Sequence, residues 1–375
     1  MITPPSKTKV RALALYLPQF HPIPENDEWW GKGFTEWTNV GKAKPLFPGH
    51  YQPHIPADLG YYDLRVPETR KAQAEMAAEF GIEGFIYWHY WFGNGKRLLE
   101  RPFNEVLSSG EPDFPFALAW ANETWRGFWF GDDGSRNVLI EQTYPGEKDY
   151  IEHFKTVLPA FKDKRYIQCE GKPIFFVYKP LQHPEMKLFL DLWRQLARDN
   201  GLNGIYFIAI GQSKYGDVEA ESYYAEMMSF GFDAVSIVNS FKAPITSFKD
   251  KLIHRVIYDF LKLDIRKYCY EQVACHLDNL ENVFPSITPN WDHTPRTKRY
   301  GIMLYGTTPE RFQEYLHKKI ELIEDKPYDK RILIIKSWNE WAEGNYLEPD
   351  LKYGKQYLEA VKKEVCPDSI LDENQ

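Results

Sequence analysis

The sequence predicts a single (β/α)8 TIM barrel with long loops on its catalytic face, and three observations lead there. Eight short apolar runs of strand length recur along the 375 residues, most of them followed by a helical pattern. The runs are apolar almost throughout, as strands are when helices cover both faces of a parallel sheet. Polar and aromatic residues gather just past the C-terminal end of nearly every run, where barrels of this class carry their sites. The rival is an open doubly wound sheet. It usually has a glycine-rich phosphate turn after its first strand, and Pro18-Gln19-Phe20-His21 is not one.

The first run is residues 10–17 (VRALALYL), stopped by Pro18. Residues 18–64 follow, rich in Pro, Gly and Trp and without a helical period. A loop well beyond about 15 residues in a compact domain is usually functional or disordered, and the aromatic content here argues against disorder. A helix is predicted over 66–80, closed by Gly81. The alternation then repeats, with runs at 84–92 (GFIYWHYWF), 114–122 (FPFALAWAN), 173–179, 204–211, 232–239, 283–291 and from Ile332 onward. Helices are expected at 98–107, 148–161, 184–199, 219–228, 309–323 and 351–365, with a long helical insertion around 248–280. No linker interrupts the pattern, so residues 1–365 read as one domain and 366–375 as a short frayed tail.

Hydrophobic residues at 43% suffice for a sizeable core, whereas aromatics at 16% exceed what a core needs and call for another use. A net charge of −7 gives no general pull toward nucleic acid or anionic membrane. The four cysteines lack CxxC spacing, so neither a disulfide scaffold nor a zinc site is expected. No metal and no cofactor is expected elsewhere. The first 20 residues lack the apolar core of a signal peptide, and no apolar run approaches the roughly 18 residues of a membrane span. The expectation is a cytoplasmic protein without an integral membrane segment, its oligomeric state open.

Placing each run as a barrel strand brings its trailing residues to one face. The first contributes Tyr16 and His21, and the second Trp88, His89, Tyr90 and Trp91. The third contributes Trp120, Asn122, Glu123 and Trp125, and the seventh Asp292. The eighth adds Trp338, Asn339, Glu340, Trp341 and Glu343. A sugar ring has an apolar C–H face that packs on aromatic rings, and hydroxyls that need amide or charged partners. Cleaving a glycosidic bond needs two carboxyl groups, one protonated and one ionised. Glu340 and Glu343 are the catalytic candidates, and the other residues named are expected to bind an oligosaccharide or polysaccharide.

Plainer readings stand beside these. Tryptophans and tyrosines at strand ends can be core, and Glu340 and Glu343 can be structural partners of barrel arginines. Glu348 and Asp350 read as first-turn carboxylates of the last helix, and Asp132-Asp133 as a turn. Arg296, Lys298 and Arg299 read as a solvated loop or as contacts to an anionic glycan or phosphate. Residues 248–270 are amphipathic and basic, and are expected to pack on the barrel rather than on a membrane or lipid-linked substrate.

The stretch WNEWAEGNYLE (338–348) resembles the catalytic signature of glycoside hydrolase family 99, the endo-α-mannosidases. Together with YLPQFHPIPENDEWWGKGFTEW, GFIYWHYWF and LAWANETW, it is still more similar to the WbsX-type proteins that share that fold. The resemblance implies a barrel and retaining cleavage of an α-linked sugar. It implies Glu340 as a base on the substrate's own 2-hydroxyl, Glu343 as the acid that protonates the leaving oxygen, and Tyr16 as a sugar contact. Ala342 stands where those enzymes usually carry a histidine, which leaves the sugar open. WbsX-type proteins are associated with bacterial surface-polysaccharide gene clusters and commonly labelled glycosyltransferases. Transfer in O-antigen or capsule synthesis, and non-catalytic sugar binding, are therefore the alternatives to hydrolysis or transglycosylation.

Overall fold

The apolar runs form a ring of parallel strands. The computed structural model describes residues 2–4, 7–127, 137–213, 217–239, 252, 255–256, 258, 260–270, 276–298 and 301–366. The barrel strands are β1 (Arg11–Tyr16), β2 (Ile82–Trp91), β3 (Phe116–Trp120), β4 (Lys172–Val177), β5 (Tyr206–Ser213), β6 (Ala234–Asn239), β7 (Ser286–Ile287) and β8 (Ile332–Ile335). Their spatial order is β6-β5-β4-β3-β2-β1-β8-β7, every pair parallel. The ring closes at β6 and β7, where Val235 bridges Val283 and exchanges backbone hydrogen bonds with Asn282 and Phe284 at 3.0 and 2.8 Å. The predicted (β/α)8 barrel is therefore the architecture.

The helices are α1 (Pro24–Trp30), α2 (Glu36–Lys42), α3 (Pro67–Glu79), α4 (Arg101–Ser109), α5 (Glu147–Phe161), α6 (Met186–Asp199), α7 (Asp217–Phe230), α8 (Thr294–Thr297), α9 (Pro309–Glu321) and α10 (Gln356–Val365). Local chemistry sets several boundaries. Proline stands in the first turn of α1, α3, α4, α8 and α9, where its missing N–H is no loss. Thr308 caps α9 by accepting from Arg311 N at 3.3 Å. Aromatic side chains fill the layer between strands and helices; fully buried Trp193 of α6 meets Phe175 of β4 at 4.9 Å between ring centroids. Gly84 in β2 is a packing requirement, since a Cβ there would lie 2.5 Å from the Pro115 carbonyl oxygen.

Four expectations need correction. Residues 18–64 contain the helices α1 and α2, each of seven residues, too short to establish a hydrophobic period. The described part of 248–280 is helical at residues 252, 255–256, 258 and 260–261, as expected, but then forms a strand, Asp264–Lys267, paired in parallel with Ile302–Tyr305. That pairing overrides the amphipathic pattern, as tertiary context often does. The seventh strand shrinks to β7 and the Val283 bridge because Pro285 and Pro289 remove ladder donors on either side. The last helix starts at Gln356, since Asp350 Oδ1 accepts from the backbone N–H groups of Lys352 and Tyr353 and holds a turn there. Asp132-Asp133, Arg299, the 367–375 tail and residues 248–251, 253–254, 257, 259 and 271–275 lie outside the described residues. No described helix is long and apolar enough to cross a membrane.

Candidate active site

A strand sends successive side chains to opposite faces, and this period of two decides which strand-end residues reach the barrel mouth. In β2, Trp88 and Tyr90 line an open cavity at the barrel mouth. Their neighbours His89 and Trp91 point outward to His153 of α5. His89 and His153 meet Nε2 to Nε2 at 2.8 Å, and Trp91 stacks on His153 with centroids 4.6 Å apart. After β3 the alternation continues: Ala121, Glu123 and Trp125 line the cavity, while Trp120 and Asn122 do not. Leu17 and Gln19 line it after β1, Tyr178 after β4 and Lys336 after β8. Trp88 meets Tyr178 edge-on at 5.3 Å, and Tyr90 meets Trp125 at 5.1 Å, so two aromatic pairs wall the space.

The carboxylates come from a small hairpin beyond β8. Asn339–Glu340 pairs antiparallel with Asn345–Tyr346 around a turn at Trp341–Glu343. Gly344 closes the turn at φ +59, and a Cβ on it would lie 2.9 Å from Asp292. Side chains pin the hairpin from below. Asn339 donates to the Leu17 carbonyl at 3.0 Å and accepts from Leu17 N at 2.7 Å, splicing the hairpin to the end of β1. Trp341 stacks on Tyr346 with centroids 3.8 Å apart and donates to Glu348 at 2.6 Å. Glu340 and Glu343 are thereby left facing the cavity.

Arg296 of α8 joins them. Its Nη1 lies 2.5 Å from Glu343, its Nη2 3.2 Å from Glu340, and its Nε 3.1 Å from Glu36, a fully buried carboxylate of α2. One planar guanidinium thus bridges both cavity carboxylates with its two arms, anchored from behind by Glu36. Burial, and then the charge of Glu343, raise Glu340 to about 8. Burial also pushes Glu343 upward, but Arg296, Lys336 and His293 together outweigh it and hold Glu343 below the usual carboxylate range. His293, 3.9 Å from Glu343, is itself lowered to about 4 by burial and is neutral near pH 7. The resting cavity thus keeps a proton on Glu340 and a charge on Glu343. Across the cavity, burial raises Glu123 despite Lys179 at 3.6 Å.

Of the residues expected to bind sugar, Trp88, Tyr90, Glu123 and Trp125 line the cavity, as do Glu340 and Glu343. The other ten do not, and each has a structural partner or a buried place. Tyr16 packs on Tyr87 and donates to Gln73 of α3 at 2.8 Å, on the helix side of β1. His21 is buried. His89 and Trp91 face α5, and Trp91 also donates to Asp149. Trp120 donates to the Trp91 carbonyl, and Asn122 exchanges hydrogen bonds with the Lys179 backbone. Trp338 is fully buried, packed on Phe85, and Asn339 and Trp341 brace the hairpin. Asp292 braces as well: its side chain meets His50 at 2.8 Å, Gln52 at 2.6 Å and Thr294 N at 3.0 Å, while its backbone N–H donates to the Glu343 carbonyl at 2.7 Å.

Sequence reasoning missed Glu36 and Lys336 as site residues, and read Arg296 as a loop cation when it is a buried one. Glu348 is not a helix-start carboxylate either. It is buried and accepts from Tyr62, Gln73 and Trp341, and burial raises it to about 7. Counting in twos from the middle of each strand would have separated cavity-facing from helix-facing residues. Nothing local in the sequence announces that Glu36 and Arg296, 260 residues apart, meet.

Comparison with known proteins follows the same lines. A solved structure described as a glycoside hydrolase-like protein superposes with a TM-score of 0.59 at 15% identity, covering 97% of this chain and 96% of that one. The GH99 endo-alpha-mannosidase from Bacteroides thetaiotaomicron superposes with a TM-score of 0.56 at 14% identity, covering 97% and 98%. At those identities the likeness is one of fold. In sequence, the chain is 35% identical over 366 residues to the uncharacterized protein WxcX of Xanthomonas campestris pv. campestris, covering 96% of this chain and 50% of that protein. The chain thus spans about half the length of the curated relatives it matches. The family described as Glycosyltransferase WbsX matches residues 12–361, nearly the whole barrel. The chain belongs to the WbsX family.

Proposed function

We propose that this barrel is a glycan-active enzyme, acting on an α-linked bacterial surface polysaccharide or oligosaccharide with Glu340 and Glu343 as its acid–base pair. The observation that carries the reading is the cavity itself. Two carboxyl groups of opposite protonation share one guanidinium between two aromatic pairs, the combination that glycosidic chemistry requires. In the retaining, endo-acting route, one carboxylate takes the proton of the substrate's 2-hydroxyl as that oxygen attacks the anomeric carbon. The bond to the leaving oxygen breaks, and the other carboxyl group protonates that oxygen. Water, or a second glycan in transglycosylation, then opens the 1,2-anhydro sugar as the two groups exchange roles.

Correspondence with the family-99 signature makes Glu340 the base and Glu343 the acid. The resting cavity holds its proton the other way round, so that division requires substrate to displace Arg296 and pass the proton to Glu343. Kinetics on glycans with poor and activated leaving groups separates the two. An activated leaving group rescues whichever variant has lost the acid: E343Q under the signature's division, E340Q if the resting distribution persists. Both variants are expected to lose at least about 100-fold in kcat on an unactivated α-linked glycan. Unchanged turnover in both would end the reading. The family's description favours a second reading, sugar transfer. Turnover of a nucleotide sugar into glycan, with no cleavage of any α-linked polysaccharide, would establish it.

A further inference from the structure

The cations around the cavity are not equally committed. Arg296 is held by three carboxylates and Lys179 by Glu123. Lys336 differs. It lines the cavity, half-buried, at the end of β8, and its ammonium makes no hydrogen bond or ion pair among the described residues. It rests instead over the indole of Trp291, 4.6 Å from the ring centroid. A cation–π contact is worth about 0.5–2 kcal/mol, less than a partly desolvated ammonium gains from an anionic acceptor. Glu340 and Glu343 stand in the same cavity, yet Arg296 occupies both. Trp291 therefore parks a whole positive charge on the wall, oriented and without an acceptor.

Neutral sugar hydroxyls already have the carboxyl groups of Glu123, Glu340 and Glu343 to pair with. What the site lacks is an anion in direct contact with Lys336. We propose that the glycan this cavity takes carries an anionic substituent, a sugar carboxylate or a phosphate, seated against Lys336, which makes Lys336 a specificity-determining residue. The inference rests on the proposed glycan-binding role of the cavity. Because Arg296 and Lys179 already contact the neighbouring carboxylates, an incoming anion meets in Lys336 a cation that no carboxylate contacts directly.

Titration calorimetry of the full chain tests this with three probes: an α-linked oligogalacturonide, its carboxyl-reduced counterpart, and a phosphorylated α-mannan oligosaccharide. The expected result is that an anionic probe binds about tenfold or more tighter than the reduced one, carboxylate or phosphate being identified by which probe shows the gain. K336M should abolish the preference and K336R restore most of it, with circular dichroism showing that both variants fold. Equal binding of charged and neutral probes would overturn the inference, as would K336M weakening both alike. Binding of the neutral probe alone would remove the anion while sparing the glycan reading. Binding of no probe would remove both.

Discussion

Arg296 is the residue on which the chemistry of the cavity turns. With both arms on the two carboxylates and Glu36 behind, it sets where their proton resides. Replacing it with methionine leaves Glu343 buried without its cation and removes the partner of Glu36 and Glu340, a change of the kind that costs about 3–5 kcal/mol. The R296M protein should show that loss in urea unfolding, and proton uptake by the carboxylates near neutral pH. The wild-type pH profile follows from the same geometry. Under the proposed mechanism the pair must hold one charge and one proton between them, so activity should fall as pH drops through the lowered value of Glu343. It should fall again as pH rises through about 8, where Glu340 loses the pair's proton. A profile measured from pH 3 to 10 should be a bell, and a single-limbed curve would contradict the paired assignment. At this scale the sequence was half legible. Glu340, Glu343 and Glu123 stood out because acids and tryptophans do not belong together after an apolar run. His89 and Trp91 were misplaced because a run of four aromatic residues hides its own alternation.

At the scale of elements, the site is a joint between the hairpin beyond β8 and α8. Asp292 makes the joint: one carboxylate oxygen receives the first turn of α8, the other receives His50 and Gln52, and its backbone holds Glu343. Shortening it to alanine strands the donors of His50, Gln52 and Thr294, which costs about 1–3 kcal/mol, and loosens the first turn of α8 that carries Arg296. D292A should therefore lower kcat by about tenfold or more with a smaller change in KM. An equal loss of thermal stability with untouched kcat would show that the joint is structural alone. The elements themselves were legible wherever an apolar run had its full length, as in β2, β3 and β8. They were illegible where a long-range partner makes the structure. Asp264–Lys267 is a strand because Ile302–Tyr305 lies beside it, and the 18–64 segment folds into α1 and α2 between barrel and mouth. No window of sequence contains those partners.

Across the whole molecule, buried acid leaves a signature in stability. Glu348 titrates near 7 in the fold against a reference of 4.5 for an exposed glutamate. Between those values the native state holds a proton that the unfolded chain has released, so this group's contribution is full below about 4.5 and declines as pH rises toward 7. The decline is on the order of 3 kcal/mol. Carboxylates held low, such as Asp63 and Asp163 beside their arginines, act in the opposite sense at more acid pH. The measurement is accordingly a difference: urea unfolding of wild type minus E348Q should lose ground from pH 5 to 7, and a flat difference would refute the assignment. The ring that carries these groups also has a seam, the single bridge between Val235 and Val283, while Lys9 N–H donates to the Val365 carbonyl at 2.9 Å on the far side of the barrel. Residues 9 and 365 are therefore near enough to be spliced by a short linker. A chain rewired to start before β7 and finish after β6 would meet its strands in the order in which they stand side by side, with every ladder except the seam made between sequential neighbours. Such a circular permutant should fold and keep the cavity. Its refolding should outpace that of the native order, in which β1 must wait for β8, the last strand of the barrel, to supply its second neighbour.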